Sequence, residues 1–190
     1  MPSRKVYMDH SATTFVDPDV LEKMLPFFSE KYGNPNSVHA WGREARSCVD
    51  EARFQVASLV NAAPREILFT GGGSEADNLA IKGVAEVLSD KGRHVITSAI
   101  EHHAVLDTVK WLGRHGYDVT VLPVDKDGLV DVNQFRDAVR NDTILASVMF
   151  ANNEVGTVQP IREIGSICRE KGILFHTDAV QAAGHIPIDL

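Results

Sequence analysis

The stretch His176-Thr177-Asp178-Ala179-Val180-Gln181-Ala182-Ala183-Gly184 decides how the rest of the chain is read. It follows Ile173-Leu174-Phe175, a short apolar run of the kind that forms a buried parallel strand. It ends in small residues that let neighbouring chain pack closely. An aspartate at the carboxyl end of such a strand stands where open α/β sheets bind ligands. Asp178 reads equally well as the N-cap of a following helix. The choice depends on what else reaches the same rim.

Working outward, strands alternate with helices. Ile67–Thr70, His94–Thr97, Val119–Val124 and Thr143–Phe150 have strand character. Helical spacing places Leu79, Ala80, Gly83, Val84, Val87 and Leu88 on one helix, and Val105, Val109 and Leu112 on the next. Asp131 caps a short helix carrying Val132, Phe135 and Val139. Ile161, Ile164, Ile167 and Cys168 mark another, predicted to lie on the surface. This alternation predicts an α/β fold, a mainly parallel sheet with helices on both faces. Ahead of it, Asp17-Pro18 starts a helix expected to run to about Tyr32. Gly33-Asn34-Pro35-Asn36-Ser37 breaks the chain. A long helix follows, with Trp41, Ala45, Cys48, Ala52, Val56 and Leu59 on one apolar stripe, where Cys48 reads as core.

Composition narrows the function classes. The chain has 190 residues, 44% hydrophobic and 24% charged, enough for one domain with a sizeable core. A net charge of -7 leaves no basic footprint for nucleic acid and no polybasic membrane patch. No apolar run has the length of a membrane span, and no secretory signal follows the charged start. The two distant cysteines, Cys48 and Cys168, make no disulfide framework, so a cytoplasmic location is expected.

Three constellations carry chemistry. Thr70-Gly71-Gly72-Gly73-Ser74-Glu75-Ala76-Asp77-Asn78 runs from strand through glycines straight into a helix. Ser74 can cap that helix, and with Asp77 it resembles a capping box. A helix N-terminus with free N–H groups suits a phosphate, although an ordinary tight turn would look the same. Neither a Walker loop nor G-x-G-x-x-G is present, which disfavours a dinucleotide. Glu101-His102-His103 follows a strand, and an imidazole there could stack on an aromatic cofactor and move protons. A metal held by His102, His176 and Asp178 lacks any supporting ligand spacing, so no metal is expected. Asn152-Asn153 ends the strand Thr143–Phe150, where its amides either bind a ligand or make a turn. With phosphate at one end, Asp178 at the other gains meaning. A buried carboxylate opposite a pyridine nitrogen keeps that nitrogen protonated and the ring an electron sink. Those two ends describe pyridoxal 5′-phosphate (PLP).

The chain resembles the cysteine desulfurases of the NifS/IscS type, PLP enzymes of the aspartate aminotransferase fold. The matching stretches, in the family's order, are Asp9–Thr14, Gly33–His39, Thr70–Asn78, Glu101–Val105, Ala151–Gly156 and His176–Gly184. The resemblance implies that Gly73 and Ser74 bind the PLP phosphate, where the family usually has Ala-Thr. It implies that His102 stacks on the ring and serves as acid or base, and that Asn153 lies beside cofactor and substrate carboxylate. Asp178 would pair with the pyridine nitrogen and Gln181 with the phenolic oxygen. The implied reaction takes sulfur from L-cysteine, leaving alanine and an enzyme persulfide. That sulfur serves iron–sulfur cluster assembly or thiolation through an acceptor protein such as an iron–sulfur scaffold. The family's members are homodimers, and a second subunit could add basic groups to the phosphate site.

Family members are longer. Their Schiff-base lysine lies in a Ser-x-His-Lys segment expected shortly after Leu190, and their persulfide cysteine and substrate-binding arginine lie later still. The expectation is therefore an N-terminal part: residues 1–15 as a segment that would join the small domain, residues 16–190 as the beginning of the PLP-binding large domain, and the C-terminal remainder absent. Selenocysteine lyase or another PLP lyase or aminotransferase is the near alternative. A non-catalytic fragment or partner subunit, marked by a large exposed apolar face, is the other.

Overall fold

A computed structural model describes residues 5–190 and divides the chain into two units, Met1–Leu68 with Pro187–Leu190, and Phe69–Ile186. The charged residues 1–4 lie outside the described residues.

The first unit is helical. Helix α1, Pro18–Met24, starts where Asp17 accepts a hydrogen bond from Asp19 N–H (2.9 Å) and Pro18 fills a position that needs no donor. It does not run to Tyr32. Pro26 has no N–H to give, so the chain restarts as a single turn, α2, Pro26–Ser29. Helix α3, Ala40–Leu59, is capped by His39, whose Nδ1 accepts from Gly42 N–H (3.2 Å). Gly33 is needed ahead of it, since a Cβ there would stand 2.2 Å from the Trp41 carbonyl oxygen. Of the apolar stripe on α3 only Ala45 is buried; Trp41, Val56 and Leu59 stay exposed and Cys48 is half-buried. Pro64–Glu66 is a 3₁₀ turn. The strand expected at Ile67–Thr70 is not among the strands of the described residues, and Leu68 is 69% exposed.

The second unit is the α/β part. In chain order it contains α4 (Gly73–Val87), β1 (His94–Ser98), α5 (His103–Arg114), β2 (Asp118–Leu122), α6 (Val132–Ala138), β3 (Thr143–Ser147), α7 (Ile161–Lys171) and β4 (Leu174–His176). The four strands are parallel, in the order β2-β1-β3-β4. The order reverses between β1 and β3, which opens a crevice outside their carboxyl ends. β2 and β3 end at Leu122 and Ser147, short of Val124 and Phe150, because the chain turns there into isolated bridges, Val124 with Val130 and Ala151 with Val158.

Side chains of period two serve both faces. Ile96 and Ala146 pack with Phe135, Ile164, Ile167 and Cys168 from α6 and α7. Their neighbours Val95 and Leu145 pack with Ile81, Ala85, Val105, Val109 and Leu112 from α4 and α5. β1 and β3 are buried throughout, as strands covered on both sides must be. Cys168 is not on the surface as expected: α7 turns it fully into the core, and burial pushes its thiol up to about 12. It is therefore an inert core residue. No helix among the described residues is long and apolar enough to cross a membrane.

Phe135 is fully buried on α6 in that core. Phe135→Ala is expected to lower the unfolding free energy by ~3–5 kcal/mol, read from urea denaturation followed by circular dichroism.

Candidate active site at the sheet's carboxyl rim

The backbone carries the β3–β4 pairing past the strands. Val148 N–H donates to His176 O (3.1 Å), and Phe150 N–H to Asp178 O (2.9 Å). This holds Asp178 on the rim beside the end of β3, 8% exposed. Its Oδ1 accepts Val180 N–H (3.0 Å), so it does cap the turns that follow, though no α-helix forms there. Gln181 is half-buried in those turns. Thr177 Oγ1 is buried with no hydrogen-bond partner in the structure.

α4 approaches the same rim by its N-terminus. Its N-cap is Gly72, with no side-chain cap, and Ser74 is the second helical residue. The expected Ser74–Asp77 capping box is absent. Glu75 takes the capping work instead, its Oε2 accepting Gly71 N–H (2.6 Å). The first intrahelical bond is Ala76 N–H to Gly72 O (3.1 Å), so the N–H groups of Gly73, Ser74 and Glu75 precede the ladder. Open space surrounds the position of a Cβ on Gly72, while one on Gly73 would meet Val180 Cγ2 at 3.2 Å. The glycine corner thus abuts the loop that carries Asp178. Asp77, one turn into α4, points inward and is buried.

From β1 comes Glu101-His102. His102 caps α5, its Nδ1 accepting Ala104 N–H (3.1 Å), which leaves the ring proton on Nε2 in the neutral form. Donor atoms of Asp77, His102 and Asp178 all lie within 4.8 Å of one another. The histidine and aspartate singled out from sequence are therefore brought together, and the third member of that group is Asp77 where His176 was considered. His176 instead places Nε2 3.5 Å from Asp77 Oδ1 and Nδ1 2.8 Å from Ser147 Oγ. Of the paired amides, Asn152 makes structure: Nδ2 donates to Ile100 O (2.9 Å) and Oδ1 accepts from Glu154 and Val155 N–H. Asn153 is half-buried beside it.

Glu101 was quoted within a motif and given no role by sequence reasoning. It is 6% exposed; its Oε1 accepts Ser98 Oγ–H (2.5 Å) and Met149 N–H (2.9 Å), while Oε2 is buried without a partner. Burial pushes the carboxyl from its ordinary 4.5 to about 7; the two donors oppose this, and the charges of Asp178 and Asp77 add to it. The signal available in sequence was a carboxylate one residue before the candidate histidine, at the end of a strand buried along its length.

These residues fit the cofactor that the resemblance implies. The chemistry of the donor set supports it: an uncovered helix N-terminus bordered by open space for a phosphate, and a buried carboxylate with an imidazole beside it for a ring.

The fold and this rim define a class of protein, and the sequence profile described as Aminotransferase class-V matches residues 6–190. The chain belongs to that family. Among its relatives, the cysteine desulfurase IscS of Clostridium botulinum strain Hall is 54% identical over 188 residues, 99% of this chain and 47% of that protein. A putative cysteine desulfurase, IscS 1 of Bacillus subtilis strain 168, is 56% identical over 186 residues, 98% of this chain and 49% of that protein. A solved NifS-like protein superposes with a TM-score of 0.95 at 46% identity, covering 98% of this chain and 52% of that one. The structure described as SspA in complex with cysteine gives 0.93 at 43% identity, covering 96% and 53%. The chain spans about half the length of the curated relatives it matches.

Because its carboxyl is raised, Glu101 contributes stability that is fully present below about 4.5 and lost as pH rises through about 7. Glu101→Gln keeps an acceptor for Ser98 and Met149 and cannot ionise. Between pH 5 and pH 8 the variant is expected to gain ~1–3 kcal/mol relative to wild type, measured by denaturant melts at each pH. A difference independent of pH would contradict the raised carboxyl.

Proposed function

We propose that this chain supplies the cofactor-gripping part of a PLP-dependent cysteine desulfurase. The observation that carries the reading is the convergence of Asp178, His102 and the α4 N-terminus on one rim of the sheet. Support comes also from the desulfurase names of relatives more than 50% identical and from the similarity to a structure in complex with cysteine.

When bound, PLP supplies an electron sink that weakens bonds at the substrate's carbons. The rest is work for the chain's own residues. Gly73 and Ser74 would hold the phosphate by backbone N–H groups and the Ser74 hydroxyl, with the positive end of α4 behind them. Asp178 would hold a proton on the ring nitrogen, favoured because both lie out of water. His102, fixed by Ala104 N–H, would lie on the ring face and carry a movable proton at Nε2. Gln181 would donate to the phenolic oxygen and Asn153 would orient the substrate carboxylate. On this reading the substrate is L-cysteine, and the sulfur leaves through an enzyme thiol to an acceptor protein such as an iron–sulfur scaffold. Cys168 does not suit that thiol role, because it is buried in the core. A homodimer in a reducing cytoplasmic compartment completes the proposal; the two free cysteines agree with such a compartment. Residues 1–15 are assigned to the small domain and residues 16–190 to the large one.

The test uses the holoenzyme that carries this chain together with the C-terminal portion found in its relatives. Alanine and sulfur are expected in equal amounts from L-cysteine. Asp178→Asn is expected to weaken PLP binding by about tenfold to a hundredfold, the worth of a charge-assisted hydrogen bond, by absorbance titration. Unchanged PLP affinity would remove the assigned role of Asp178. Turnover confined to L-selenocysteine would select the lyase instead.

A further inference from the structure

The proposed function leaves two buried carboxylates at the rim without a role, Glu101, which ties β1 to β3, and Asp77. Asp77 is 5% exposed and has an oxygen within 4.8 Å of the Asp178 carboxylate. Two carboxylates that close, away from water, repel each other and compete for protons. The group that faces Asp77 is His176, with Nε2 at 3.5 Å. Its ring is not loose. Ser147 and His176 are register partners across β3 and β4, and the Ser147 hydroxyl lies 2.8 Å from Nδ1. A hydroxyl donating to Nδ1 leaves the ring proton on Nε2, toward the carboxylate; the opposite tautomer would aim a lone pair at an anion. The sheet thus fixes an imidazole whose Nε2 stands 3.5 Å from the Asp77 carboxylate on α4.

We propose that Ser147, His176 and Asp77 form a positioning relay behind Asp178, in which the His176 Nε2–H group screens the Asp77 carboxylate so that Asp178 alone serves the ring nitrogen of the cofactor. The relay rests on the reading of Asp178 given above. The other titratable groups at this point are Glu101, from the loop between β1 and α5, and His102, at the start of α5. Glu101 is tied to Ser98 and Met149; His102 also brings a ring nitrogen within 4.8 Å of an Asp77 oxygen, and on the reading above its Nε2 proton serves the cofactor.

The experiment compares wild-type holoenzyme with His176→Ala, with the double variant His176→Ala/Asp77→Asn, and with Asp178→Asn. The readouts are the pH midpoint of the bound cofactor's absorbance and the PLP dissociation constant. Without His176 the Asp77 carboxylate loses its N–H neighbour and presents more of its negative charge to the cofactor. It favours the protonated form and raises the midpoint by about half to one unit. Adding Asp77→Asn removes that charge and returns the midpoint toward wild type, a rescue that a merely structural defect would not give. Ser147→Ala releases the ring without removing it and is expected to shift the midpoint the same way by less, so the relay stays testable if His176→Ala does not fold. A wild-type midpoint in both His176→Ala and Ser147→Ala overturns the relay, as does a double variant no nearer wild type than the single. If Asp178→Asn leaves PLP affinity unchanged, the reading of Asp178 fails first. If Asp178→Asn acts as expected while the His176 series is flat, the relay alone fails.

Discussion

One carboxylate oxygen holds the rim together. β1 and β3 are neighbours whose connections leave in opposite directions, so beyond their last paired residues the two chains separate. Glu101 Oε1 closes that gap, accepting from Ser98 at the end of β1 and from Met149 just past β3. A second tie runs from Asn152 to the Ile100 carbonyl. Both ties lie at the switch in strand order, where an open parallel sheet offers its crevice. The position of His102 follows, since it is the next residue in the chain and opens α5.

The consequence is an acidic interior. Asp77, Glu101 and Asp178 are all buried at one end of the sheet, against two histidines. Burial disfavours carboxylate charge, and Glu101 answers by holding its proton to about 7. Such a cluster does little for folding by itself. Sites of this kind are more often arranged for chemistry, where a positively charged partner offsets them. A protonated pyridine ring would be such a partner, and the α4 N-terminus would receive the anionic end of the same molecule.

Much of this was legible in the chain. Alternating strand and helix patterns gave the parallel sheet, and Asp131 caps α6 as its position suggested, accepting Asn133 N–H at 2.7 Å. Asp178 and His102 were readable because each stands just past a strand; β1 is buried throughout as expected, whereas in β4 Leu174 is exposed, so the run Ile173-Leu174-Phe175 is buried only at Ile173. Other readings failed for definite reasons. Helical spacing ran through Pro26 because periodicity ignores a missing donor. Ser74 and Asp77 have capping-box spacing, but the helix begins at Gly73, which turns Asp77 inward and leaves Glu75 to cap. Cys168 shares the apolar set of Ile161, Ile164 and Ile167, but periodicity alone does not say that the packing of α7 on the sheet buries that face completely. Ile67–Thr70 has strand composition but forms none of the strands of the described residues.

The sequence by itself determined the kinds of element, their order, and which polar residues end buried strands, because periodicity and turn chemistry are local properties of the chain. It also carried the family's motifs, which name a cofactor with an anionic end and a basic ring. Only the tertiary structure decided which carboxylates share a neighbourhood. Asp77, His102 and Asp178 are separated along the chain; His102 and Asp178 meet because parallel strands send the loops that follow them to the same rim, and Asp77 joins them from the first turns of α4. No local pattern records a distance across a sheet, so Glu101 as the tie between β1 and β3, and His176 as the neighbour of Asp77, became visible only once the strands were in register.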